Sequence, residues 1–403
     1  MFLTREEERI LAGEEGPAKQ IALEAIVRVG EALGAERLVE IKHAHVSGVS
    51  YGTIGRAGLA FLEWLASQGA RVSVPTTLNP VGYDTSDPEL ITSIPGVRLD
   101  REFVKGQTAI LRALSRMGVK ATLTCTPYYL PDVSSLNLRL GDSVAWGESS
   151  AIAYANSVLG LKTNREGGPL ALLAAIAGRT YYWGMHLDEE RRPTIRFRYT
   201  GGVVDDARAG ILGAMVAEAS RGVPLVEARF SDEMAIREFL AALGTSGAIA
   251  RAVIPGVTPD YDGSDPGETI EYDELTLDVE AEKYKPVENP DIIFIGCPHA
   301  RASDVARLAR LILREGGPRR DVRIVATLSR SEALKLQGDS SIVEAGITLV
   351  SDTCLIVSPF GRGGDKPSVA TNSFKAYFYL SARGVPVGIA SLEELARLAA
   401  RGA

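Results

Sequence analysis

The pattern that most restricts the fold of this chain is an alternation of short apolar runs and longer amphipathic stretches in its last third. The apolar runs, rich in Val and Ile, predict strands at DIIFIGC, VRIVATL, ITLVSDTCLIV and VPVGIA. Stretches of helical period separate or follow them: SDVARLARLILREGG, SEALKLQGDSSIVEAG, residues 373–382 and a closing helix from Leu392. Buried strands that alternate with crossover helices form parallel sheets. The predicted fold class is therefore α/β, with a doubly wound sheet at the C-terminus.

The N-terminal part repeats this alternation, with predicted strands at LVEIKHAHVS, RVSVPTT and VKATLTC. Predicted helices are GLAFLEWLASQG, after a Gly-rich loop, and a second one from Thr108 to Met117. The middle of the chain is less regular, although GGPLALLAAIAG predicts a core helix. A chain of 403 residues is too long for one hydrophobic core. We predict an N-terminal α/β domain at 1–130, a middle domain at 131–290 and a C-terminal doubly wound domain at 291–403.

Residues 258–290 form an acidic segment with many carboxylates and only two lysines. Calcium binding would require regularly spaced oxygen ligands, and the spacing of an EF-hand is absent. Charge runs of this kind are usually solvated. We therefore predict that the segment is an acidic connection between domains.

Composition and charge exclude several classes of protein. Apolar residues make up 45% of the chain and charged residues 24%, as in ordinary globular proteins. The net charge of −7, without a basic cluster interleaved with aromatics, argues against nucleic-acid binding. The longest apolar run, PLALLAAIAG, is far shorter than the ~20 residues of a membrane span. The N-terminus lacks a signal peptide and reads as a helix that Thr4 and Glu7 cap, so we expect a cytoplasmic protein.

The chain has three cysteines, Cys125, Cys297 and Cys354, and each lies near the carboxyl end of a predicted strand. Ligands bind at that edge of open α/β sheets, so the three thiols could converge there. Three thiolates on a cuboidal iron–sulfur cluster leave one iron open as a Lewis acid. Two alternatives stay open at this point: the cysteines are small buried hydrophobes, or one of them is a catalytic nucleophile.

Several polar loops follow predicted strands and are candidates for binding an anion. The loop from Lys42 to Gly58 contains Gly48 and could bring backbone N–H groups close to a ligand, although it matches neither a Walker A nor a dinucleotide motif. Asn79 and Pro80 follow the next strand and would form a rigid turn.

Glu148, Ser149 and Lys375 begin predicted helices. Glu148 with Ser149 predicts either an N-cap or a contact with a hydroxyl or water of a substrate. Lys375 lies in the first turn of its helix, where the helix dipole disfavours a cation, which indicates an anion site instead. Of the four histidines, His45 is a candidate acid or base, although a histidine beside a strand end more often has a structural role.

Taken together, these segments resemble the large, catalytic subunit of the aconitase X family. The motifs that carry the resemblance are AHVSGVSYGTIG, VPTTLNP, WGESSAIAYANSVLG with LKTNREGG, GCPHA and the NSFKAYFYL region. They extend over nearly the whole chain and are accompanied by all three cysteines. The resemblance implies a multi-domain, aconitase-like α/β fold.

The resemblance also implies an activity and a site. The expected enzyme is a hydro-lyase of the mevalonate pathway of isoprenoid biosynthesis, which converts (R)-5-phosphomevalonate to trans-anhydromevalonate 5-phosphate. Other members of the family dehydrate cis-3-hydroxy-L-proline. The implied cofactor is a 4Fe–4S cluster, readily oxidised to 3Fe–4S, on Cys125, Cys297 and Cys354. Glu148 and Ser149 are the implied catalytic residues, and the implied substrate contacts are Gly48, Val49, Ser50, Asn79, Pro80 and Lys375.

The resemblance further implies that this chain needs a partner. In two-component members, a small subunit carries a swivelling domain with the catalytic serine. We therefore expect a heterodimer that acts on a small anionic substrate. An alternative of another class is a metal-free α/β binding subunit whose cysteines only pack.

Overall fold

The computed structural model describes residues 1–364 and 366–400, which form two compact units. Unit 1 comprises Met1–Pro80, Asp100–Arg192 and Gly256–Ser264, and unit 2 comprises Val81–Leu99, Pro193–Pro255 and Asp265–Ala403. Across the described residues, no helix is both long enough and apolar enough to cross a lipid bilayer. The domain boundaries expected after residues 130 and 290 stay predictions.

The α-helices are numbered along the chain. They are α1 Arg5–Leu11, α2 Pro17–Leu33, α3 Tyr51–Ser67, α4 Pro88–Thr92, α5 Arg101–Arg116, α6 Pro131–Ser134, α7 Ser149–Tyr154, α8 Gly168–Ala177, α9 Asp206–Ala219, α10 Glu233–Ser246, α11 Glu274–Ala281, α12 Ala302–Arg314, α13 Arg330–Lys335, α14 Ser340–Glu344, α15 Phe374–Ser381 and α16 Leu392–Ala399. Short 3₁₀ turns lie at Pro127–Tyr129, Gly184–His186, Glu189–Arg191 and Glu282–Tyr284, and a π-helical turn at Ala155–Leu159 extends α7.

The β-strands are numbered in the same way. They are β1 Leu38–Glu40, β2 Ala44–Val46, β3 Thr76–Leu78, β4 Ala145–Trp146, β5 Arg179–Tyr181, β6 Ile195–Tyr199, β7 Pro224–Glu227, β8 Thr269–Tyr272, β9 Ile292–Ala300, β10 Arg323–Leu328, β11 Ile347–Ser351, β12 Val369–Thr371 and β13 Val387–Ile389.

Unit 1 is built around a three-stranded parallel sheet in the order β3-β2-β4, accompanied by the antiparallel pair β1 and β5. Helix α8 packs against β2 and α2, and it is buried along its length from Ala171 to Ala177. This confirms the core helix predicted from GGPLALLAAIAG. Helices α3 and α5 pack against each other.

Unit 2 contains the five-stranded parallel sheet β11-β10-β9-β12-β13. The chain runs outward from β9 to β11, then returns to the other side of β9 with β12, which is the reversal that defines a doubly wound sheet. The predicted C-terminal fold is confirmed. Its core includes the apolar stripe of α12 at Val305, Leu308 and Ile312, which packs with residues of α14 and α16 and of the sheet.

The acidic segment predicted as a connection contains regular structure in unit 2. Strand β8 pairs in parallel with β6, so that the sheet order is β7-β6-β8, and α11 packs on α9. Its carboxylates pair with arginines: Arg198 binds Glu271, and Arg208 binds Glu274 and Asp278. The acidic segment thus forms a sheet edge and a helix, with ion pairs between its carboxylates and arginines of β6 and α9.

Three predicted elements differ in detail. The predicted strand VKATLTC is reduced to a bridge between Lys120 and Thr77, because Leu123 takes a left-handed conformation with φ of 50° and turns the chain. The predicted strand LVEIKHAHVS divides into β1 and β2, which join different sheets. The long helix predicted before β11 divides into α13 and α14 around Gly338, whose φ is 86°.

Candidate functional site

The carboxyl edge of the unit 1 sheet collects seven of the residues singled out in the sequence. Strands β2, β3 and β4 are parallel neighbours, so the loops that follow them leave from one edge. Strand β2 leads to the residues from Gly48 to Ser50, β3 leads to Asn79 and Pro80, and β4 leads to Glu148 and Ser149. The structure thus brings these seven residues to one edge, and their roles toward a substrate stay predictions.

The loop from Gly48 to Ser50 is held by hydrogen bonds with Gln107, a residue that the sequence did not indicate. Gly48 has a φ of 66°, where a residue with a Cβ is strained. Gln107 of α5, fully buried, donates from Nε2 to the carbonyl of Val49 at 2.9 Å and accepts from the N–H of Tyr51 at 2.9 Å. A glutamine inside a helical pattern carries no signal of this role.

Asn79 is held by His45, which is fully buried in β2. His45 Nε2 lies 3.0 Å from Asn79 Oδ1, and its Nδ1 lies 2.8 Å from Thr77 Oγ1. Burial lowers the pKa of His45 to about 4, although the bond to Asn79 and the charge of Glu148 act in the opposite direction. A ring with so low a pKa is a weak base, so His45 fits a hydrogen-bonding role better than that of a general base.

Glu148 is the N-cap of α7, which was one of its two predicted roles. Its Oε2 accepts from the N–H of Ala151 at 2.8 Å and from the hydroxyl of Ser150 at 2.5 Å. Ser149 is the first residue of that helix. The N-cap prediction is confirmed, and contact with a substrate remains a proposal for both residues.

Cys125 lies beside the same edge, although no regular strand leads to it. The neighbouring Thr124 N–H donates to the carbonyl of Leu78, the last residue of β3, at 3.1 Å. The thiol is buried. The predicted position at a sheet edge therefore holds, whereas the predicted strand end is wrong.

In unit 2, Cys297 lies inside β9, so the prediction that it ends the strand is also wrong. The strand continues to Ala300, with a register shift against β10. Gly296 makes this possible: its φ is 112°, and a Cβ there would lie 2.1 Å from the carbonyl oxygen of Thr327. The hydroxyl of Ser373, the N-cap of α15, donates to the carbonyl of Cys297.

Cys354 follows β11 in a loop that Arg383 holds. The guanidinium of Arg383 donates to the carbonyls of Leu355 at 3.2 Å, of Phe360 at 3.0 Å and of Ile356. Burial raises the pKa of the Cys354 thiol, while backbone N–H groups and the charges of Lys375 and Arg383 oppose this shift. Burial lowers the pKa of Arg383, and the thiols of Cys354 and Cys297 act against it. Arg383 thus lies within electrostatic reach of both cysteines.

Lys375 is the second residue of α15 and is buried, with 7% of its surface exposed. The predicted position in the first helical turn is confirmed. A buried cation at a helix N-terminus, beside the Cys354 thiol, gives this edge of the unit 2 sheet a positive character.

Two carboxylates of unit 2, those of Asp84 and Asp206, have structural roles that the sequence analysis did not predict. Asp84, in the segment after VPTTLNP, accepts from the N–H of Ser351 at 2.9 Å and from Arg330 at 2.8 Å, and so holds the end of β11. On the other side of the sheet centre, Asp206 accepts from Asn372 at 2.8 Å, next to the N-cap of α15. Acidic residues on helices and loops usually indicate solvent, which is why these roles were not predicted.

Comparison with known protein families places the chain. Three family models match successive parts of it: the aconitase X first domain over residues 1–189, the second domain over 193–285 and the third domain over 290–401.

The chain belongs to the aconitase X family.

The relatives of this aconitase X chain include two dehydratases of different substrates. It is 53% identical to the phosphomevalonate dehydratase large subunit of Aeropyrum pernix, with 99% of this chain and 100% of that one covered. It is 33% identical to the cis-3-hydroxy-L-proline dehydratase of Pseudomonas aeruginosa, with 93% of this chain covered but 65% of that one. Aconitase X of Thermococcus kodakaraensis, solved as a holo-form, matches with a TM-score of 0.89 at 37% identity and covers 99% of this chain and 100% of that one. The predicted aconitase-like fold is confirmed.

The three cysteines of this chain, Cys125, Cys297 and Cys354, are buried, and none of them forms a disulfide. Within the described ranges, no three His, Cys, Asp or Glu side chains are close enough to hold one metal ion. The three-cysteine cluster thus stays a prediction.

Proposed function

We propose that this chain is the large subunit of a phosphomevalonate dehydratase, which removes water from (R)-5-phosphomevalonate to give trans-anhydromevalonate 5-phosphate. The observation that carries the proposal is the 53% identity to the Aeropyrum pernix large subunit, with 99% of this chain and 100% of that one covered. The more distant identity to a cis-3-hydroxy-L-proline dehydratase, 33%, supports that substrate less. The buried Lys375 also suits a substrate with two anionic ends.

For the cofactor, we propose an iron–sulfur cluster with Cys125, Cys297 and Cys354 as its ligands. The chemistry of the donors supports this proposal, since cysteine sulfur is the usual ligand of such clusters and the three thiols are buried near sheet edges. Lys375 and Arg383 act against the burial that raises the pKa of Cys354. When bound, such a cluster supplies a Lewis acid that weakens the C–O bond of the tertiary hydroxyl.

The residues of this chain would bind and orient the substrate. Removal of the proton next to the carboxylate builds negative charge on that carboxylate, so its oxygens need donors. The backbone N–H groups near Gly48 and Ser50, the side chain of Asn79 and the ammonium of Lys375 can provide them. Glu148, with Ser149, would orient the hydroxyl that leaves as water. The proton acceptor would be a serine of a small partner subunit with a swivelling domain, in a cytoplasmic heterodimer.

The activity is tested by anaerobic co-expression with the small subunit, followed by assays on both substrates. We expect turnover of (R)-5-phosphomevalonate by the complex and almost none by this chain alone. Turnover of cis-3-hydroxy-L-proline without phosphomevalonate would assign the other dehydratase activity. Full activity of the isolated chain would contradict the need for a partner.

The cofactor is tested by three variants, Cys125→Ala, Cys297→Ala and Cys354→Ala, each purified anaerobically. If all three thiols bind the cluster, each variant loses the brown absorbance and most of the iron of the wild-type protein. Wild-type protein that stays colourless after reconstitution with iron and sulfide would favour a metal-free binding subunit. Loss of activity in one variant, with the others unaffected, would indicate a cysteine nucleophile.

A further inference from the structure

A chain of buried side-chain hydrogen bonds crosses all three strands of the unit 1 sheet and ends at Asn79. It runs from Trp146 of β4 to His43, which precedes β2, then to Thr77 of β3, to His45 of β2 and finally to Asn79 after β3. The first four side chains are at most 3% exposed, and that of Asn79 is 8% exposed. The chain of bonds ends in the loop where the substrate is proposed to bind.

The direction of these bonds follows from the chemistry of the first donor. The indole Nε1–H of Trp146 can only donate, so His43 Nδ1, at 2.9 Å, must accept. The proton of a neutral His43 is then on Nε2, which faces the hydroxyl oxygen of Thr77 at 3.4 Å. His43 is neutral because burial, with a smaller effect of His45, lowers its pKa to about 3.

The hydroxyl of Thr77 determines the direction of the next hydrogen bond, to His45. Its single proton has two acceptors within reach, His45 Nδ1 at 2.8 Å and the carbonyl of Ala44 at 3.5 Å. The shorter contact is the stronger hydrogen bond. With the Thr77 proton on this contact, His45 Nδ1 accepts, and its Nε2 carries the proton that is donated to Asn79 Oδ1 at 3.0 Å.

We propose that Trp146, His43, Thr77 and His45 are positioning residues that fix the side-chain amide of Asn79 with its NH₂ group toward the substrate. The inference deepens the proposed function and rests on it. With Oδ1 occupied by His45, the amide can meet a carboxylate or phosphate oxygen only as a donor. Neutral histidines suit this task because the direction of a neutral ring is set by its hydrogen-bond partners, whereas a charged ring donates from both nitrogens.

The decisive variant is Thr77→Val, which keeps the shape of the side chain but removes the hydroxyl. His45 Nδ1 then loses its donor and can take the proton, after which Nε2 accepts from the amide of Asn79. The amide oxygen would turn toward the anion, so we expect KM for (R)-5-phosphomevalonate to rise about tenfold with kcat changed by less than about twofold. Thr77→Ser restores the hydroxyl and should restore KM.

The matched control is Thr76→Val in the same strand. The hydroxyl of Thr76 donates to the carbonyl of Val74 at 2.9 Å, and consecutive side chains of a strand point to opposite faces. Thr76→Val should lower the melting temperature about as much as Thr77→Val and leave KM unchanged. If both variants alter only the melting temperature, the four residues have a structural role and the proposal is overturned.

An independent readout separates this inference from the proposed substrate. Nitrogen-15 NMR of histidine-labelled complex distinguishes the two neutral tautomers, and the chain has four histidines to resolve. We expect His43 and His45 to be neutral at pH 7 with the proton on Nε2. A proton on Nδ1 of His45 would overturn the proposal whatever the substrate is, whereas a wild-type complex inactive on phosphomevalonate would overturn the proposed function alone.

Discussion

The carboxyl edges of the two parallel sheets, one in each unit, are built from different kinds of polar group. In unit 1, neutral side chains bond to one another from His43 through Thr77 and His45 to Asn79 at the sheet edge, where the charged Glu148 also lies. At the unit 2 edge the polar groups are ionisable: the buried Lys375, Arg383 with its three carbonyl partners, and the thiols of Cys297 and Cys354.

The difference shows two kinds of polar group that the edge of a parallel sheet can present. A series of neutral groups fixes which atoms donate and which accept, because each hydrogen bond in the series determines the direction of the next one. Ionisable groups supply field strength, since a charge in a buried setting is screened less than one in water.

The largest effect should follow from removing charge at the unit 2 edge. We expect Lys375→Met to lower kcat/KM by about 10² to 10³, as is typical when one preorganised donor to a developing anion is lost. The iron content should be unchanged. Lys283→Met is the control, because Lys283 lies on the surface in an ion pair with Glu280. Normal kinetics in Lys375→Met would remove this lysine from the site and with it the charged half of the comparison.

A smaller effect concerns the buried carboxyl groups of unit 2. Burial raises the pKa of Glu238 to about 8, and Glu238 interacts with Ser373, the N-cap of α15. Because its folded pKa lies above the ordinary value, the folded state binds the extra proton, and stability is lost as pH rises from about 4.5 to 8. Glu238→Gln has no proton to lose, so its stability relative to wild type should increase over this range, on the order of a few kcal/mol at pH 8.

Urea midpoints at pH 5 and pH 8 would measure this effect. Glu315→Gln, an exposed site, is the control and should show no such gain. An unchanged difference between Glu238→Gln and wild type at the two pH values would contradict a buried, protonated Glu238.

The smallest effect is expected at His45 in unit 1, where the change of stability with pH has the opposite sign to that at Glu238. The pKa of His45 lies below its ordinary value, so the unfolded state binds more protons as pH falls from about 6.5 to 4, and the folded state loses stability over that window. His45→Gln, with no proton to gain, should become relatively more stable toward pH 4, by about 1–3 kcal/mol. Urea midpoints at pH 7 and pH 4.5 test this. A relative stability independent of pH would indicate that His45 has the same pKa in the folded and unfolded states, and would contradict the burial of a neutral ring in unit 1.

Local patterns in the sequence predicted much of this molecule. The alternation of apolar runs and amphipathic helices predicted the doubly wound sheet of unit 2, because burial and periodicity are properties of neighbouring residues. The same reasoning placed Asn79, Glu148 and Lys375 after strands or at the starts of helices. The family followed from motifs along the whole chain and was confirmed by the family models.

Other features needed contacts between residues distant in sequence. Cys125 and Cys297 were expected at strand ends, yet Leu123 turns the chain before one and Gly296 allows β9 to continue past the other. Conformations of this kind depend on what packs nearby rather than on hydrophobic period. The acidic segment forms β8 and α11, where its carboxylates pair with arginines of β6 and α9 that are 66 to 73 positions away in the sequence.

The amino-acid sequence by itself thus determined the fold class, the family and the loops that reach the sheet edges, since these depend on local pattern. It also placed His43 and His45 two residues apart, and therefore on one face of a strand. Only the tertiary structure decided which groups face each other there. Bonds from Trp146 to His43 and from Gln107 to Val49 join residues 103 and 58 positions apart, and their direction follows from geometry that no local pattern encodes.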